Sequence, residues 1–91
     1  MSYRGRTRNP MDRKQIRKID CKQGEILLGS LLVYKVVDDE GDEGYEYCII
    51  DLCEEKPYTR IGYEYSKKGL LERIADFHRR YVGDVEFKET A

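Results

Sequence analysis

Three tandem runs of aliphatic, β-branched and aromatic residues, followed by one helical stripe, constrain this chain more than any other feature. The runs are Glu25–Val37 (EILLGSLLVYKVV), Tyr45–Cys53 (YEYCIIDLC) and Tyr58–Tyr65 (YTRIGYEY). Short runs rich in Val, Ile and Tyr, bounded by Asp, Gly and Pro, read as strands joined by turns. Gly29-Ser30 divides the first run into a short strand at Ile26–Leu28 and a longer one at Leu31–Val37. The seven-residue loop Asp38–Gly44 is too short for a crossover, so the first two runs form a hairpin. Glu54-Glu55-Lys56-Pro57 then turns the chain into the third run, where Gly62 suggests a bulge.

The stripe lies between Lys67 and Val82. Ser66 caps it, and Leu70, Leu71, Ile74, Phe77 and Tyr81 fall on one helical face. Gly83 stops the helix, and His78, Arg79 and Arg80 suit its negative end. Val85–Phe87 adds a short edge strand. The expected fold is α+β: an antiparallel sheet of three or four strands, one amphipathic C-terminal helix and a basic, partly disordered N-terminal arm.

The arm follows from charge. The net charge of −1 conceals eight Lys/Arg against two Asp in Met1–Lys22, and nine Lys/Arg against sixteen Asp/Glu in Gln23–Ala91. Residues 1–22 therefore read as a flexible basic arm and 23–91 as a single domain. Within the arm, Asn9-Pro10 resembles a helix start, and a short helix is expected from about residue 10 to 19. Lys22-Gln23-Gly24 reads as a turn.

Strand side chains alternate between faces. One face takes Leu32, Tyr34 and Val36, the opposite one Leu31, Val33 and Val37. The second strand separates Cys48, Ile50 and Leu52 from Tyr45, Tyr47 and Ile49. The third separates Ile61, Tyr63 and Tyr65 from Tyr58 and Arg60. One helix covers one face only, so the other stays apolar and needs a cover. The segment Ile16–Leu28, a second copy giving a homodimer, and another partner are the three options. Tyr45, Tyr47 and Tyr58 are placed on that uncovered face as aromatic anchors.

Chemistry is sparse. Cys48 and Cys53 lie roughly 16 Å apart along an extended strand and point to opposite faces, too far for one zinc ion or a disulfide. His78, the single histidine, shows no oriented partner in the sequence. No phosphate loop, nucleophile elbow or paired-carboxylate motif is present. Neither catalysis nor a cofactor nor a metal is expected. No run approaches the roughly 20 apolar residues that span a bilayer, and the basic N-terminus has no apolar stretch behind it. Three cysteines, an odd number, suit a reducing compartment, so no membrane contact and a cytoplasmic location are expected.

Two charged surfaces remain. Asp38, Asp39, Glu40, Asp42 and Glu43, with Glu46 nearby, form an acidic patch able to mimic phosphates and enter the basic channel of a nucleic-acid-handling protein. Together with the tyrosines, this gives the leading expectation: a non-enzymatic interaction protein, a small inhibitor or regulator, analogous in size and charge alone to phage-encoded inhibitors. Arg4, Arg6, Arg8, Arg13, Lys14, Arg17 and Lys18 support the alternative, direct RNA or DNA binding through the arm. Tyr3 among them could stack on a base.

Overall fold

A computed structural model describes residues 12–53 and 58–90. The elements are β1 (Asp12–Gln23), β2 (Ile26–Val37), β3 (Glu43–Asp51), β4 (Tyr58–Glu64), α1 (Lys67–Arg80) and β5 (Glu86–Thr90). They form one five-stranded sheet in the order β4-β3-β2-β1-β5, with every neighbouring pair antiparallel. The first four strands are a meander. The helix then carries the chain from the β4 edge to the opposite edge, where β5 pairs with β1.

The largest departure from expectation is β1. Residues 12–23 form a strand inside the sheet, where a helix over about 10–19 within a basic arm was expected; Met1–Met11 lie outside the described residues. The cause is a register shift between Gln15 and Arg17. It leaves Ile16 out of the ladder and brings it to the face that Ile19 occupies, and both pack on the core. Two isoleucines three apart on one face resemble helical spacing, but here a bulge produces the coincidence. Beyond it, Lys18, Asp20 and Lys22 alternate with Ile19 and Cys21, the period of a half-buried strand.

The edge strand β5 was expected near Val85–Phe87, so β1 is the addition that makes five strands where three or four were expected. β2 is continuous where two pieces were expected. Its irregularity is a second shift: Cys21 pairs with Gly29 and Lys22 with Leu27, so Leu28 is unpaired in that ladder. Leu28 packs against the core, and its carbonyl accepts from the Leu52 amide at 2.9 Å. Gly24, at φ 63, supplies the first of two residues in the β1–β2 turn.

The core lies between the sheet and α1. Ser66 caps the helix by accepting from the Gly69 amide at 3.0 Å. Leu70, Ile74, Phe77 and Tyr81 face Ile19, Cys21, Leu31, Val33, Tyr47 and Ile49. Each large apolar side chain buried there contributes about 1.5–3 kcal/mol. Leu71, expected on the stripe, is 49% exposed. His78 stands beyond the core: its ring lies 4.4 Å from that of Phe87, and Nδ1 donates to the Ile74 carbonyl at 2.9 Å.

Candidate interaction surface

The register assigns every described strand residue to a face. Row by row, Lys18–Leu32–Cys48–Ile61 and Asp20–Ser30–Ile50–Thr59 stand side by side, as do Gln15–Tyr34–Glu46–Tyr63. None of these residues shares the face of Ile19, Leu31 and Ile49, which α1 covers. They make up the opposite, open face. Among the described residues nothing lies across it. The segment considered as a cover, Ile16–Leu28, extends the sheet sideways instead, because β1 pairs edge to edge with β2.

The grouping of side chains within each strand follows the alternation, but the identity of the open face is inverted. Tyr45 and Tyr47, expected as uncovered anchors, lie on the helix side. Tyr47 is only 6% exposed, and Tyr45 is half-buried against the core. Tyr58 pairs with Asp51 in the ladder, and its side chain lies outside the described residues. The physical reason is that α1 packs on the Tyr45–Tyr47–Ile49 side, and glycine at position 62 accommodates it. A Cβ there would run into the Tyr47 ring, so the missing side chain makes room for a tyrosine beneath the helix.

The open face is aromatic at one end. Tyr63 folds over Gly44, whose absent side chain leaves the space. The Tyr63 ring meets that of Tyr65 edge-on at 4.8 Å. The Arg13 guanidinium sits 3.8 Å above the Tyr34 ring and donates to Glu46 Oε1 at 2.9 and 2.6 Å. That hydrogen bond raises the Arg13 pKa above its ordinary value. Leu32, Cys48, Ile50 and Ile61 continue the strip, with Ile61 68% exposed. Burial also raises the Cys48 thiol pKa, keeping it protonated. Lys18 flanks the strip on β1, as does Lys88 on β5; Ser30 donates to Asp20 at 2.6 Å.

The acidic patch sits at the same end. Asp38 caps the tip of the β2–β3 hairpin: its Oδ1 accepts from the amides of Glu40 and Asp42, each at 2.9 Å. Gly41, at φ 85, provides the left-handed residue that this turn requires. Carboxylate oxygens of Asp38, Glu40 and Asp42 lie within 4.8 Å of one another. Glu43 is neutralised by Lys35 at 2.9 Å and Glu46 by Arg13. Asp39, Glu40 and Asp42 have no ion-pair partner among the described residues, so the unbalanced charge concentrates at the tip. On the open face the Val36–Gly44 row comes next to the tip, Tyr34 and Tyr63 stand on the row after it, and Tyr65 follows β4 at the same end.

The basic residues divide. Arg4, Arg6 and Arg8 lie outside the described residues. Arg13 is engaged by Glu46, and Arg17 donates to both oxygens of Glu89 at 2.6 and 2.8 Å. That bidentate pair lowers the Glu89 pKa. Lys14 is exposed, and Lys18 is half-buried on the open face.

A second polar cluster lies under the helix end. Asp51, 4% exposed, is paired with Arg80 and accepts from the Cys53 amide at 2.9 Å. Beside it the Tyr81 ring rests on Gly29, where a Cβ would collide with it. Burial, with the Asp51 charge adding to it, pushes the Tyr81 pKa up to about 12. These groups hold the C-terminus of α1 to the sheet.

No protein-family model, curated protein or solved structure matches this chain. No helix among the described residues is long and apolar enough to cross a membrane.

Leu32, Tyr34, Ile50, Ile61 and Tyr63 are the surface residues that sequence reasoning did not select. The signal for them was the alternation of β1. Lys18 and Asp20 mark one face as solvent-facing and Ile19 and Cys21 mark the other as core, once residues 12–23 are taken as a strand.

Proposed function

We propose that this protein is a non-enzymatic interaction module, a small inhibitor or regulator that docks on a basic, nucleic-acid-handling protein. The observation that carries the reading is the apolar, aromatic strip on the open sheet face, next to an acidic tip with unbalanced charge. Apolar side chains left partly open in one strip, with Ile61, Tyr63 and Tyr65 exposed, mark an interaction site. Tyr34, Tyr63 and Tyr65 supply broad, rigid contact area, and Asp39, Glu40 and Asp42 attract and orient a cationic partner.

The alternative, direct nucleic-acid binding through the basic N-terminal residues, has less support. Two of its seven cations, Arg13 and Arg17, are already held by carboxylates. Replacing those contacts with phosphates would require breaking both pairs.

The test is comparative capture from the native host with mass spectrometry. Wild type should retain a basic protein. Ile50→Lys, which places a charge in the middle of the strip, should lose it while the circular dichroism spectrum stays unchanged. Equal capture by folded Ile50→Lys would reject the open face as the docking surface. Capture of nucleic acid alone would favour the alternative.

A further inference from the structure

The two sheet edges are built differently. β5 is five residues long and carries Glu86, Lys88 and Glu89. Short length and charge are the usual defences of an edge against pairing with another chain. β4, at the other edge, is seven residues long, has two charged residues of opposite sign, Arg60 and Glu64, contains no proline, and has no strand on its outer side among the described residues. Ile61 in its middle is largely exposed.

We propose that β4 is the pairing edge for a second copy of this chain, in an antiparallel, two-fold register centred on Gly62. A two-fold axis perpendicular to the sheet keeps each face on its own side, so the axis must pass through a residue paired with itself. Centring on Gly62 sets Arg60 opposite Glu64 of the second copy, and Ile61 opposite Tyr63 of the second copy. The symmetry repeats both pairs. Opposite charges on one face and a β-branched residue against an aromatic on the other are favourable cross-strand pairs. Centring on Arg60 would oppose two guanidinium groups. Centring on Ile61 would leave Arg60 facing Gly62.

The charges are available for this. Among the described residues, exposed Arg60 has no ion-pair partner and Glu64 has only Arg73, at 3.8 Å. Pairing would join the sheets of two copies into one of ten strands and bring their open strips together. The β4 edge lies apart from the sheet face that docks a partner.

Sedimentation equilibrium of the full chain, from low to high micromolar concentration, tests it. Wild type should show a reversible dimer. Arg60→Glu, which sets two carboxylates face to face, should weaken it about tenfold. The double variant Arg60→Glu with Glu64→Arg should restore it. Ile50→Lys, away from the edge, should leave it intact. A monomer at every concentration overturns the proposal, as does a dimer indifferent to Arg60→Glu or one abolished by Ile50→Lys. If Arg60→Glu does not fold, amide exchange of wild type decides: slowing of β4 amides with concentration supports the pairing, and unchanged rates overturn it.

Discussion

At the scale of single residues, two glycines make room for one aromatic ring on each face. Gly62 admits the Tyr47 ring beneath the helix, and Gly44 admits the Tyr63 ring on the open face. The two sites differ in freedom. Tyr47 is enclosed by the core and cannot retreat, whereas Tyr63 is 38% exposed and can swing outward. A methyl group added at each position should therefore have unequal consequences. Gly62→Ala should lose about 2–3 kcal/mol through overpacking, and Gly44→Ala less than about 1 kcal/mol. Urea unfolding midpoints, compared at constant slope, measure the difference. Equal losses would mean that Tyr47 is not fixed by the helix.

At the scale of elements, β1 decides the fold. It lies between β2 and β5 and brings Ile19 and Cys21 into the core. Deleting residues 1–11 should leave the thermal unfolding transition in place. Deleting 1–22 should abolish it, because β5 loses its neighbour and the core loses one wall. A cooperative transition in the longer deletion, followed by far-ultraviolet circular dichroism, would show β1 to be dispensable. The same elements show what the sequence revealed. The three apolar runs, the hairpin with its acidic loop, the helix and its Ser66 cap were legible because periodicity and turn chemistry are local signals. β1 was hidden because a bulge at Ile16 imitates helical spacing, and the charges of Arg13, Arg17 and Lys18 resemble a solvated arm. Those charges belong to strand positions, two of them paired with Glu46 and Glu89. Of the candidate surface, the acidic tip was legible and the aromatic anchors were not. Alternation sorts side chains into two sets, and only contact with the helix says which set is inside.

At the scale of the whole molecule, one helix and one sheet leave a face without a cover among the described residues. Its apolar middle, its aromatic end and the acidic tip beyond that end form one continuous surface. The role proposed for the protein depends on that surface being where a partner sits. Amide chemical-shift mapping of the isotopically labelled chain, titrated with the protein it captures, tests this directly. The largest shifts are expected at Leu32, Tyr34, Cys48, Ile50, Ile61 and Tyr63 and in the 38–43 tip. Shifts confined to residues 1–11 or to the outer side of α1, with those strand positions unmoved, would contradict the proposed role.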